Sequence, residues 1–341
     1  MSRGRRQVTL GVDPGMVEAA SGVPRDVYGN LDRLVRPDLR HHYATPLGAQ
    51  RWLDVCADPG YGHATLLTLV DQVLPGVVDA LREDGVGPAL SLVSLGPGDG
   101  SVDERILKGL AERLSVDAYL AVDSSLELLR RSLRRIAHAG GMPDGLRIHG
   151  LLGDIRTATA LPVRRERAGA PRLLVLTGFT LGNYPEPELM GGIRTMMDSG
   201  DYLLLDARLH GFGPLPDDLT GFREANGRAF GSYDLPSVRR FVFGPVEVAT
   251  TACVSDVDVA FDVTRSITRV PNALNLLIHC RDLRTVVRLT EERVQRDRLD
   301  LAVTTLYHLP DLLRWLDASG LGPIWHRSTD EVAFLLVKPR A

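Results

Sequence analysis

Between residues 90 and 207 short apolar runs alternate with amphipathic stretches. Residues 90–95 are apolar, and helical spacing follows over 102–114. Residues 118–122 are followed by a helical stretch over 125–138. Then come 146–152, 173–176, a helical stretch over 186–198, and 202–205. Strands alternating with helices predict a mostly parallel sheet covered on both faces. Ahead of it, 47–57 and 64–81 carry apolar residues at three- and four-residue spacing, and Asp58-Pro59-Gly60 breaks them apart. Residues 1–20 read as a loose arm. After 207 the alternation stops. Residues 211–216 are a Gly/Pro-rich loop, and 241–248, 257–267, 274–279 and 285–289 read as strands of an antiparallel insertion. A helix at 309–318, Gly320 and two strands, 322–327 and 331–338, close the chain, with Ser328-Thr329-Asp330 as a hairpin turn.

The expected fold is α/β, doubly wound and Rossmann-like, with an antiparallel C-terminal hairpin. Residues 1–85 form a helical segment on the substrate side and 86–207 the ligand-binding core. Residues 208–305 form a β-rich second subdomain, and 306–341 complete the core sheet.

Composition narrows the partners. The chain has 341 residues, 44% hydrophobic and 24% charged, enough to bury a core. A net charge of −3 gives no pull towards nucleic acid or anionic membrane, so neither is an expected partner. Cys56, Cys253 and Cys280 lie far apart without CxxC spacing, which argues against zinc and disulfides and suits a reducing cytoplasm. No apolar run approaches the roughly 20 residues that span a bilayer. His41 and His42 are adjacent and point to different faces, and with His63 they make no metal site. Arg164-Arg165-Glu166-Arg167 reads as a solvated loop, and Trp315, Trp325 and Tyr307 as core or cavity wall. No Gly-x-Ser-x-Gly elbow is present.

The chemistry begins at Ser94-Leu95-Gly96-Pro97-Gly98-Asp99-Gly100-Ser101, where the first strand of the alternating region breaks into three glycines. Such a loop frees backbone N–H groups and admits a ligand where a Cβ would stand. A phosphate-binding loop needs a lysine at its end, and a dinucleotide fingerprint needs wider glycine spacing. About 25 residues on, Asp123 ends the second strand, where a carboxylate accepts hydrogen bonds from a ribose diol. Asp154 ends the third strand, placed for an adenine amine. Two strand-end carboxylates behind this loop favour an adenosine ligand.

Loop, Asp123 and Asp154 together resemble the class I S-adenosylmethionine (SAM)-dependent methyltransferases. Within them, Leu176-Thr177-Gly178-Phe179-Thr180-Leu181-Gly182-Asn183-Tyr184 looks like the Gly-Ser-Thr-Ile-Gly-Asn-Phe stretch of the histidine Nα-methyltransferases of ergothioneine synthesis. Gly48-Ala49-Gln50-Arg51-Trp52 and Cys56-Ala57-Asp58-Pro59-Gly60-Tyr61 are similar to two upstream segments of that family. Order and spacing match from about residue 45 to the end.

The resemblance implies SAM as cofactor and a small-molecule acceptor. Its candidate cofactor-binding residues are Gly96, Gly98, Asp99, Gly100, Ser101, Asp123, Ser124, Asp154, Ile155 and Thr177. Tyr61, Asn183 and Asp206 are candidates to orient the acceptor, and Tyr61, Asn183, Thr304 and Tyr307 to bind it. Three departures stand out. Ser94 replaces an acid before the loop, and Val102 or Asp103 falls where the family has a lysine. Ala302 and Thr304 replace the Glu and Ser that read the histidine imidazole. The lost charge-assisted partner is worth about 1.5–3 kcal/mol, which argues against histidine. The expectation is a cytoplasmic SAM-dependent methyltransferase acting on a small amino acid or amino-acid-derived metabolite, at nitrogen, in specialised metabolism. The alternatives are a nicotinamide-dependent oxidoreductase and a SAM-binding regulatory protein without turnover.

Overall fold

The computed structural model describes residues 8–13, 40–43, 45–157, 170–211, 213, 215, 219, 231–249, 258–266, 269–281 and 298–340. The strands are β1 (Val8–Val12), β2 (Ala89–Leu95), β3 (Ser115–Asp123), β4 (Arg147–Leu152), β5 (Arg172–Leu176) and β6 (Tyr202–Arg208). They continue as β7 (Asp258–Arg265), β8 (Leu274–Arg281), β9 (Arg298–Leu306), β10 (Leu321–Ser328) and β11 (Val332–Pro339). The helices are α1 (Arg40–Tyr43), α2 (Pro46–Ala57), α3 (His63–Glu83), α4 (Ser101–Ala111), α5 (Leu126–His138), α6 (Glu186–Met196), α7 (Pro236–Ala249) and α8 (Leu309–Ala318).

Eight strands form one sheet in the order β1-β4-β3-β2-β5-β6-β11-β10. Pairing is parallel from β1 across to β6, and β11 and β10 close the edge antiparallel. Alternate residues face opposite layers. Tyr119 and Ala121 of β3 join the core under α3, α4 and α5. Leu120 and Val122 join the core under α6 and α8. Burial on both faces is why the central strands read as continuous apolar runs. The chain winds outward from β2 to β4, then reverses to β5 and β6. The crevice at that reversal, outside the carboxyl ends of β2 and β5, is where such sheets hold ligands.

The second sheet, β7-β8-β9, is antiparallel and packs with α2 and α7 around a third core containing Val55, Phe241 and Leu276. Its β9 also touches the main domain. The 3-10 turn Thr180–Asn183 sits against β9, and a Cβ on Gly182 would stand 2.6 Å from the Thr305 carbonyl oxygen.

Two expectations need correction. Residues 241–248 are helical, within α7. Their β-branched and aromatic content suggests a strand, but Val238, Phe241, Val242 and Val246 are buried at helical spacing. The loose arm at 1–20 contains β1, which pairs in parallel with β4. Val8, Leu10 and Val12 are exposed, so the ladder holds this strand where burial does not. The expected strand at 285–289, the charge run at 164–167 and Cys253 lie outside the described residues. By length and composition α3 could cross a membrane, yet its stripe of Leu66, Val70, Val73, Leu74, Val77 and Leu81 is buried in the core.

Gly182→Ala is expected to destabilise the protein by about 1–3 kcal/mol, because the turn must lift off β9 to admit the methyl group. Thermal unfolding reads this directly; an unchanged midpoint would show that the turn is not seated there.

Candidate active site

A cleft opens at the sheet reversal, lined by residues at the carboxyl ends of β2, β3, β4 and β5. The first wall is the glycine loop. Gly96 has φ +77°, and a Cβ there would meet nothing within 4 Å, so its open side faces space. Gly98 has φ +57° and faces the Trp52 indole nitrogen. Asp99 turns the chain into α4 by accepting from the Ser101 N–H at 2.9 Å. Both Asp99 and Ser101 line the cleft. Gly100 does not; a Cβ there would lie 2.9 Å from Ser132 Cα, so it serves packing of α4 on α5.

Asp123 sits at the end of β3, lines the cleft and accepts the Ser125 N–H at 2.7 Å. Burial pushes its pKa up to about 7, against hydrogen bonds from the Ser125, Gly98 and Ser124 N–H groups. These bonds tie the glycine loop to the next strand. The arrangement fits a ribose: an open glycine approach on one side and a strand-end acceptor on the other. Ser124, Ile155 and Thr177 line the same space. Asp154 lines it too, with one oxygen accepting the Arg156 N–H at 2.9 Å and the other meeting the Arg156 guanidinium at 2.8 Å.

The opposite wall is aromatic: Tyr43, Trp52, Tyr61, Phe179 and Tyr184. Trp52 meets Tyr43 and Tyr61 edge-on, with centroids 5.6 and 5.7 Å apart. Tyr61 ends the 3-10 turn Pro59–Tyr61. Asp58 caps that turn on the Gly60 N–H at 3.0 Å and accepts the Ser237 hydroxyl at 2.7 Å, fastening it to α7. Burial pushes the Tyr61 phenol upward, so it stays protonated. Asn183 lines the cleft, and among the described residues its amide has no hydrogen-bond partner.

Three expected acceptor residues lie elsewhere. Asp206 is fully buried behind the wall and accepts the Gly178 and Phe179 N–H groups at 2.9 and 2.8 Å. It positions the loop and does not line the cleft. The Tyr307 hydroxyl donates to Glu186 at 2.8 Å, inside the core under α6 and α8. Thr304 packs beneath Gly182. In each case the sequence aligns the residue with the site while the side chain turns into a core.

Sequence reasoning weighed His63 only as a metal ligand; it is the first residue of α3 and lines the cleft, with Nε2 3.0 Å from Ser101 Oγ. Burial pulls its pKa down. Tyr43, Phe179 and Tyr184 were missed. Phe179 has φ +63°, a left-handed conformation that a bulky residue adopts only when held. Spacing alone does not announce such a residue. Cys56 faces the cleft as well, with burial pushing its thiol up to about 12, so it is inert wall.

Ser94 has a spatial answer. It hydrogen-bonds the carboxyl of Asp103, which is buried in α4 and bonded by the Tyr119 hydroxyl at 2.5 Å. An acid therefore stands behind the loop, supplied from the helix instead of the strand.

Residues 48–210 match the model of a family described as histidine-specific, SAM-dependent methyltransferases. No curated protein matches the chain. Among solved structures it is similar to a SAM-dependent methyltransferase from Methanosarcina mazei (9% identity, 76% of this chain and 97% of that one, TM-score 0.40). It is also similar to the 1,6-didemethyltoxoflavin-N1-methyltransferase of Burkholderia thailandensis (10% identity, 87% and 92%, TM-score 0.40). A third is a SAM-dependent methyltransferase from Methanococcus maripaludis (13% identity, 86% and 93%, TM-score 0.39).

Two outcomes are expected for Asp123. The ionised carboxylate is the form that accepts from a diol, so affinity for S-adenosylhomocysteine should rise as pH rises through about 7 and level off above it. Asp123→Asn should bind more weakly and lose this pH dependence; calorimetry from pH 6 to 8.5 checks both. For Asp206→Asn, one acceptor is replaced by a donor facing an N–H, and a loss of about 1–3 kcal/mol in stability is expected by denaturant titration.

Proposed function

We propose that this SAM-dependent methyltransferase, related over residues 48–210 to the histidine-specific family, methylates a nitrogen of a small amino acid or amino-acid-derived metabolite. The observation that carries the reading is the aromatic wall of Tyr43, Trp52, Tyr61, Phe179 and Tyr184 around the cleft. SAM supplies a methyl group on a sulfonium. When a neutral amine takes it, the positive charge passes from sulfur to nitrogen and stays in the cleft. Aromatic faces attract a cation on either atom. Transfer to an oxyanion would extinguish the charge and leave the rings without that role.

The protein's own part is alignment and exclusion of water. Tyr61 and Asn183 line the space beside the glycine loop, and the unpartnered Asn183 amide offers both a donor and an acceptor. An amine must be unprotonated to attack. Desolvation among the rings lowers an ammonium pKa, so the site needs no dedicated strong base. Asp206, held by two backbone N–H groups, keeps the 178–183 segment in place. The imidazole-reading positions of the family carry Ala302 and Thr304, both buried, which supports an acceptor other than histidine and a role in specialised metabolism.

The test is methyl transfer from SAM to a panel of amino acids and their amine derivatives, with the product site located by mass spectrometry. Methylation at nitrogen is expected, with histidine a poor acceptor. Asn183→Ala and Tyr61→Phe should lower kcat/KM by about 10- to 100-fold, roughly 1.4–2.7 kcal/mol, with S-adenosylhomocysteine affinity unchanged. Methylation at oxygen or carbon would overturn the reading.

A further inference from the structure

Nitrogen methylation leaves one proton to be placed. Near neutral pH an amine arrives from water mostly as ammonium, and it sheds a proton before its lone pair can attack. Exclusion of water leaves the groups that line the cleft to receive that proton. Most of them are committed. Asp99 accepts the Ser101 N–H at 2.9 Å and pairs with Arg135 at 2.8 Å. Asp154 pairs with Arg156 at 2.8 Å, and Asp123 accepts the Ser125 N–H at 2.7 Å where the ribose would sit. Phenols keep their protons at neutral pH, and burial pushes those of Tyr43 and Tyr61 further up. Burial likewise pushes the Cys56 thiol up to about 12.

His63 differs from all of these. It follows Gly62, whose φ is +85°, and that turn brings Tyr61 and His63, two residues apart, to the same cleft. Its Nε2 stands 3.0 Å from Ser101 Oγ, and Ser101 is itself a lining residue. An imidazole exchanges its proton in the physiological range. Burial favours the neutral, accepting form of this one; Asp99 of the glycine loop opposes that effect and Arg135 of α5 adds to it. The first turn of α3 carries no acidic residue. Cys56 from α2 and Tyr61 from the preceding turn face the same space uncharged.

We propose that His63, acting through the Ser101 hydroxyl, receives the proton that the acceptor ammonium sheds. With its own proton on Nδ1, the neutral imidazole accepts the Ser101 O–H at Nε2, which leaves the lone pairs of Ser101 Oγ to the cleft. The ammonium donates an N–H to those lone pairs. Its proton passes to Oγ as the Ser101 proton passes to Nε2, so one N–H and one O–H bond break while one O–H and one N–H bond form. Ser101 ends unchanged, the imidazole carries the charge, and the amine keeps its electron pair. That pair attacks the donor methyl: the carbon–sulfur bond breaks with its electrons left on sulfur, and a carbon–nitrogen bond forms. The half-buried imidazole then returns the proton to solvent. The inference rests on the methyltransferase reading and adds the route of the proton to it. A weak base suffices, because desolvation has already lowered the ammonium pKa.

The test uses the full chain with saturating SAM at each pH, and L-phenylalanine, L-tyrosine, L-tryptophan, phenethylamine, tyramine and tryptamine as probes. For the best probe, wild-type kcat/KM should be level from about pH 7 up to the ammonium pKa of the probe, because the enzyme takes the ammonium and removes its proton. His63→Gln keeps a partner for Ser101 and loses the proton acceptor. Its kcat/KM at pH 7 should fall about 100-fold and climb about tenfold per pH unit toward the ammonium pKa, since it uses only neutral amine from solution. Ser101→Ala should show the same climb, and the double variant should be no slower than His63→Gln. Affinity for S-adenosylhomocysteine should be unchanged in all three. A further readout needs no turnover: in the S-adenosylhomocysteine complex the His63 ring signal, identified by NMR from its absence in His63→Gln, should titrate below the ordinary value of about 6.5. A wild-type profile that itself climbs to the ammonium pKa, a variant profile parallel to that of wild type, or a ring that titrates above the ordinary value overturns the proposal. If one variant does not fold, the other carries the test. Failure to methylate any amine strikes the nitrogen-methylation reading itself, and the proposal falls with it.

Discussion

The site depends on one carboxylate that never touches it. Asp206 is taken wholly out of water at the end of β6, and its two oxygens accept two successive N–H groups from the neighbouring strand's loop. Burial pushes its pKa up to about 7, against hydrogen bonds from the Phe179 and Gly178 N–H groups and the nearby Arg208 charge. Those bonds hold Phe179 in its left-handed conformation. From there follow the ring over Arg208, the 3-10 turn after it, and the position of Asn183 at the cleft. Removing the clamp frees the loop that carries Phe179 and Asn183 to the cleft.

The parallel core was legible because burial on both faces writes an unambiguous pattern. The runs at 90–95 and 118–122 fall inside β2 and β3, and the helices between them begin within a residue or two of their expected starts. Asp123 was legible for the same reason, since a strand end at the sheet reversal is a fixed place. What sequence could not give was direction off the backbone. Tyr307 and Thr304 occupy positions that align with an acceptor site, yet their side chains enter cores. Conversely, His63 and Phe179 reach the cleft through left-handed turns at Gly62 and at Phe179 itself, which carry no periodic signature. Segment 241–248 shows the other failure. Its β-branched content favours a strand, and only its burial among α2 and the second sheet decides for a helix.

Ser94 and Asp103 illustrate how a local rule is kept by other means. An alignment of the strand alone reads Ser94 as a loss. In space, Asp103, Tyr119, Ser94 and Ser132 form one buried polar cluster behind the glycine loop. Burial raises the Asp103 pKa to about 6, so this cluster favours the protonated acid in the folded state. Its stabilising contribution is fully present below pH 4 and is lost as pH rises through 6. Gly100 closes over Ser132, leaving no room for a side chain between loop and cluster.

The fastening of Asp58 to Ser237 has a different reach. It joins the Tyr61 turn to α7, so this part of the aromatic wall is held by α7, while Phe179, Tyr184, the glycine loop, Asp123 and Asp154 follow strand ends of the central sheet. A substitution in α7 therefore reaches the Tyr61 ring through one carboxylate and one hydroxyl, while the loop and carboxylates at the strand ends stand on a separate hydrogen-bond frame.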